Sequence, residues 1–192
     1  MVATAHPIRP GERLQLKLEL QDIQPTIWRR LAVPRSAKLP QLHRIIQITM
    51  GWEDRHQHEF DIAGRRYGTP DPEWPQDGLV SEKNVTLHTA LGRSKSFTYV
   101  YDFGDDWRHL ITVEEILPIG ATPPKTECFA AENACPPEDI GGLPGYMNYL
   151  EAILDPTHPE HRAMRDWGGG KSFDPRFVDI DAINRKLARF RF

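Results

Sequence analysis

Strict alternation opens the folded part of the chain. In residues 12–20, ERLQLKLEL, Leu14, Leu16, Leu18 and Leu20 occupy every second position with polar or charged side chains between them, the two-residue period of a strand with one buried face. The same period returns in residues 26–33, TIWRRLAV, where Ile27, Arg29, Leu31 and Val33 alternate with Trp28, Arg30 and Ala32. The two segments are therefore expected to pair as an antiparallel hairpin, closed at Pro34. From Leu39 the period lengthens, because Leu42, Ile45, Ile46 and Thr49 follow i, i+3, i+4, i+7 and Gly51 stands where a helix C-cap belongs. Residues 56–62, HQHEFDI, alternate again and put His56, His58, Phe60 and Ile62 on one face of a third strand, followed by a turn at Ala63 and Gly64. SFTYVYDFG and WRHLITVEEIL then flank the short turn Gly104-Asp105-Asp106, a second hairpin with Phe97, Tyr99, Tyr101 and Phe103 on one face.

Between these elements the chain is punctuated by loop signals. Residues 69–84 carry Pro70, Pro72, Pro75 and Gly78 among acids and read as a surface loop, with a short helix over residues 85–91. Residues 117–145 are rich in proline and glycine, hold both cysteines and show no period, so they read as a long loop of the kind that often carries function. Helices are expected at about 146–154, 158–167 and 181–189, the last with Arg185, Lys186 and Arg189 where cations suit the dipole. The order of strands, helix, strand, hairpin and helices predicts an α+β fold, a mostly antiparallel sheet of about five strands packed with helices. Residues 1–11 read as a tail and residues 12–192 as one domain.

Composition narrows the class. Of 192 residues, 39% are hydrophobic and 27% charged, enough to build a core and incompatible with a disordered chain. No run approaches the ~20 apolar residues of a membrane span, and MVATAHPIRPGER lacks the apolar stretch of a signal peptide, so a cytoplasmic protein without a membrane partner is expected. The net charge of -3 argues against a general nucleic-acid coat. It is unevenly spread: residues 1–66 hold 11 Lys/Arg against 7 Asp/Glu, and residues 67–192 hold 13 against 20. A local basic face built on Trp28, Arg29, Arg30 and Arg44 would therefore suit DNA, with the Trp28 ring free to stack on a base. Cys128 and Cys135 are too few for a disulfide scaffold and read as reduced thiols.

Candidate chemistry gathers in two segments. YDFGDDWRH places Asp102, Asp105, Asp106 and His109 around a turn, where clustered carboxylates and an imidazole suit acid/base work or a cation; ordinary turn chemistry explains the same acids. The DFG triplet has none of the other protein-kinase signatures. In ECFAAENACPPEDIGGLPGY the cysteines stand six residues apart, wider than a zinc knuckle, so a divalent metal there would need His56 and His58, or His158 and His161, as further ligands. Packed small hydrophobes are the plainer reading of both thiols, and no cofactor is predicted. Gly170-Lys171-Ser172 invites a phosphate-loop reading that fails, since the first glycine of that pattern would fall on Arg165. None of the serines sits in a nucleophile elbow.

Taken in order, PTIWRRLAVP, LPQLHRIIQITMGWEDRHQHEF, FTYVYDFGDDWRHLITVE, ACPPEDIGGLPGYMNYLEAILDPTHPEH and FDPRFVDIDAINRKL resemble the plasmid pRiA4b ORF-3-like family, also called the insertion-element passenger TnpR family. The resemblance implies one α+β domain of prokaryotic origin, carried on plasmids or mobile elements, with no established activity. Resolvase chemistry does not follow from the TnpR label: the first serine is Ser36, and the one His-x-x-Arg lies in the tail, at His6 and Arg9. Many members carry a further cysteine where this chain has Ile140, a departure that weakens a thiolate site. The leading expectation is a noncatalytic binding or accessory module, for an unknown protein or small-molecule partner, in which Asp102, Asp105, Trp107, His109, Glu138, Asp139 and Tyr146 form one acidic and aromatic surface. One alternative is a metal-assisted hydrolase using Asp105, His109, Glu138 and Asp139; a second is a DNA-binding protein linked to recombination, which would need Arg29, Arg30, Arg44, Arg65 and Arg66 to converge on one face.

Overall fold

The computed structural model describes residues 12–73, 76–118, 125–169 and 173–190; the predicted tail, Pro75, residues 119–124 of the long loop and the Gly170-Lys171-Ser172 run lie outside them. Among these residues a single sheet runs in the order β5-β4-β3-β6-β7-β1-β2-β8. Strands β1 (Arg13–Leu20) and β2 (Trp28–Pro34) form the expected hairpin, with Leu16 opposite Leu31. On its other edge β1 pairs antiparallel with β7 (Trp107–Leu117), which returns from β6 (Ser96–Tyr101) as the second expected hairpin. β6 pairs with β3 (His58–Ile62) and β3 with β4 (Arg65–Gly68). β4 meets β5 (Leu79–Ser81) in parallel, and β8 (Glu127–Glu132) completes the far edge beside β2.

The sheet thus has eight strands rather than about five. The three additional ones have weak patterns for identifiable reasons. β4 is four residues long and begins with two exposed arginines, and β5 is three residues at a sheet edge inside a proline-rich stretch. In β8 the buried side chain is the small Cys128 while the neighbouring Phe129 is 43% exposed, so the hydrophobic pattern points the wrong way.

Helix α1 (Leu39–Met50) covers the inner sheet face with Leu42, Ile45 and Ile46, against Leu14, Leu16, Leu18, Leu31 and Phe60. Gly51 takes φ 96 at its C-cap, as the sequence predicts. α2 (Leu87–Leu91) matches the expected short helix. α3 (Gly142–Leu154) starts earlier than expected, because Pro144 is tolerated in a first turn. α4 (His161–Trp167) and α5 (Ile180–Leu187) complete the described helices, α5 against β8 and α1. None of the described helices is long and apolar enough to cross a membrane. Phe103 leaves the face shared by Phe97, Tyr99 and Tyr101 and is 46% exposed, since Asp102 takes φ 56 just past the end of β6.

Candidate functional site

The β6–β7 turn is built on Asp102. Its Oδ1 accepts from the Gly104 and Asp105 N–H groups at 2.9 and 3.3 Å, and its carbonyl accepts from Asp106 N–H at 2.7 Å. The loop before α3 lies directly against this turn. Gly141 N–H donates to the Asp105 carboxylate at 3.2 Å, and a Cβ at Gly142, which holds φ 67, would stand 2.8 Å from the Asp105 carbonyl oxygen. That close approach is why the turn and the loop meet only with glycine there.

Hydrogen bonds fasten the contact further. The Tyr101 hydroxyl donates to Glu138 Oε1 and accepts from Arg55 N–H at 3.0 Å, while Glu138 Oε2 accepts from Glu53 N–H at 3.0 Å. Burial, with Glu138 alongside, raises the Tyr101 phenol above its ordinary range. Trp52 stacks on Tyr101 with ring centroids 4.9 Å apart and donates to the Pro136 carbonyl at 3.1 Å. The segment after α1 thereby delivers His56 to the junction. Its Nε2 lies 2.7 Å from Asp139 Oδ1, 3.5 Å from Asp102 Oδ2 and 3.9 Å from Glu138 Oε1. Ligand atoms of His56, Asp102 and Asp139 all fall within 4.8 Å of one another, the one such grouping of three or more among the described residues.

His56 also lines a cleft of about 510 Å³ with His43, Asp54, His58 and Glu82. The His43 and His58 rings stack face to face at 3.5 Å and 6°. His43 Nε2–H donates to Asp54 at 2.6 Å, and Nδ1 accepts from the Tyr99 hydroxyl at 2.8 Å, a tautomer fixed by these partners. Burial first, and His58 second, push the His43 imidazole down to about 4, so it is neutral near pH 7. Glu82, only 3% exposed, takes His58 Nε2 at 3.1 Å on both carboxylate oxygens. Sequence reasoning passes over Asp54 and Glu82 and marks Tyr99 only as a strand-face position. The helix period of Leu42, Ile45, Ile46 and Thr49 leaves His43 out, and Glu82 sits in a proline-rich segment without any pattern.

The residues singled out from sequence divide clearly. Asp102, Asp105, Glu138 and Asp139 are brought together, joined by His56 rather than by His109. His109 is fully buried, its Nδ1 directed at the Trp107 and Tyr99 carbonyls at 3.1 and 3.4 Å, and its Nε2 has no hydrogen-bond partner. Burial lowers that imidazole to about 4. Trp107 and Tyr146 are buried behind the surface, Trp107 stacked on Trp52 at 6.2 Å and Tyr146 edge-on to Phe173 at 6.3 Å, where burial pushes the Tyr146 phenol up to about 12.

Cys128 and Cys135 join neither His56 nor His58 in a ligand grouping. Burial raises both thiols above their ordinary range, which suits packed side chains rather than thiolates. Arg29 is 2% exposed and donates to the carbonyls of Trp28, Thr49, Glu132 and Asn133, so it cannot share a face with the other candidate DNA contacts. Trp28 and Arg30 lie on the outer sheet face, the Arg30 guanidinium over the Trp28 ring at 5.3 Å and paired with Glu114 at 2.7 Å. Arg44 instead binds Asp54 on the α1 side.

Comparison with known proteins gives three findings. Residues 12–182 match the profile of the plasmid pRiA4b ORF-3-like proteins. The uncharacterized protein y4hQ of Sinorhizobium fredii is 37% identical over 177 residues, covering 91% of this chain and 90% of its own. A crystal structure of a protein of unknown function from Methanosarcina mazei Go1, 36% identical, superposes with a TM-score of 0.80 and covers 90% of this chain and 98% of its own.

Proposed function

The chain belongs to the plasmid pRiA4b ORF-3-like family, and from that membership and the site geometry we propose that it is a noncatalytic binding module whose surface is the junction of residues 102–106 with residues 136–142. The observation that carries this reading is the seating of Gly142 on Asp105 together with the Tyr101–Glu138 bond, which gathers carboxylates from distant parts of the chain onto one wall. Around the junction Glu53, Asp106 and Asp139 are exposed and Phe103 adds an apolar edge. Such a wall suits a basic segment of a protein partner, since complementary charge steers and orients association. The hydrolase alternative draws its imidazole from His109, and that ring faces the core; the imidazole at the junction is His56.

Selection from a displayed library of random peptides, in chelator-treated buffer, tests the proposal. Peptides rich in Lys and Arg are expected to be enriched, with affinity lost on the double substitution Glu138→Ala, Asp139→Ala. Enriched peptides that bind the double variant equally well, or an absence of enrichment, would count against it.

A further inference from the structure

We infer that His56 Nε2, Asp102 Oδ2 and Asp139 Oδ1 are the ligands of a divalent transition-metal ion of the Mn²⁺ to Zn²⁺ class. The inference uses the same junction as the binding reading but needs no basic partner. Geometry comes first. Nitrogen and oxygen ligands held about 2.1 Å from such an ion stand roughly 3.0 to 3.4 Å apart, and here His56 Nε2 is 2.7 and 3.5 Å from the two carboxylate oxygens, with all three atoms inside 4.8 Å. One imidazole with two carboxylates is a donor set for Mn²⁺ or Zn²⁺ rather than for a soft ion.

Asp102 is oriented toward the imidazole by the turn it builds. The residue is only 8% exposed, its Oδ1 is taken by the Gly104 and Asp105 N–H groups, and its Oδ2 accepts no hydrogen bond among the described residues. That oxygen points to His56, at ion-pair distance only. The turn thus fixes one carboxylate oxygen and leaves the other aimed at the imidazole, as a ligand position requires. The local charge agrees. Asp102, Glu138 and Asp139 all face one imidazole, and the neighbouring Arg55, 57% exposed along its side chain, is 3.6 Å from Asp139 and shared with Glu53. Glu138, whose Oε1 already holds Tyr101, contributes charge beside the ion rather than a ligand. His56 stands at the border between this grouping and the cleft, which it lines with His43 and His58.

Titration of chelator-treated protein with CoCl₂, read by visible absorption, and with MnCl₂, read by calorimetry, tests the site. One equivalent is expected to bind and to raise the Tm. His56→Ala and Asp102→Asn are each expected to weaken binding by about 100-fold or more, at least what loss of an outer-shell partner does. Asp102→Asn keeps an acceptor for the turn N–H groups, and the Tm of the chelated variant checks that the fold survives. Absence of stoichiometric binding, or an affinity that survives both substitutions, overturns the inference. Peptide selection that fails while the metal titration succeeds removes the partner reading and leaves the ion in place; the reverse pair of results removes the ion and leaves the partner reading.

Discussion

Two imidazoles are locked neutral inside this protein, His43 between Asp54 and Tyr99 and His109 with one nitrogen unpaired. Burial is the first cause in both, and it lowers each from the ordinary 6.5 to about 4. Unfolding returns the groups to water, so between pH ~4 and ~6.5 the unfolded chain binds more protons than the folded one. Stability therefore rises with pH through that window and is lost as pH falls through it, by up to about 3 kcal/mol per histidine. Urea denaturation at pH 7.5 and pH 4.5 checks this, and His109→Leu is expected to flatten the slope by its own share; an unchanged slope would contradict the assignment. At this scale the sequence was partly readable. The alternation in residues 56–62 singled out His56 and His58, but the carboxylates they meet come from residues 82, 102 and 139, and no local pattern announces such pairings.

The elements most legible in the sequence are those with long periodic faces. β1, β2, α1 and the β6–β7 hairpin each repeat an apolar spacing over two or more turns or pleats, and all four stand where the spacing places them. β5 and β8 were hidden because edge strands bury few side chains, and β8 turns its phenylalanine outward; β4, an interior strand, was hidden because it is four residues long and opens on two exposed arginines. The loop before α3 is the element whose fit decides the site. A methyl group at Gly142 would collide with the Asp105 carbonyl and would have to occupy φ 67. Gly142→Ala is therefore expected to cost about 1–3 kcal/mol, read as a lowered urea midpoint, and to weaken any ligand that needs turn and loop together. A midpoint unchanged from that of the parent chain would show that the two segments are not held in register by this contact.

Across the molecule, Arg29, Arg30, Arg44, Arg65 and Arg66 are spread over different faces and elements. Neighbouring side chains of a strand point to opposite sides, so Arg29 faces the core and Arg30 the outer surface. Arg65 and Arg66 lie on β4, five strand steps from β2, or about 24 Å at the usual spacing, and Arg66 is paired with Glu59. Acidic residues show the opposite behaviour, since the topology brings a turn, a loop and the segment after α1 to one junction. The most direct measurement is amide chemical-shift mapping of the ¹⁵N-labelled, chelator-treated protein titrated with a hexalysine peptide at several salt concentrations. The account predicts joint perturbation of residues 102–106 and 136–142 that fades with salt and disappears in the Glu138→Ala, Asp139→Ala variant. Perturbation confined to one of the two segments, or centred on the outer sheet face around Glu114, would contradict it.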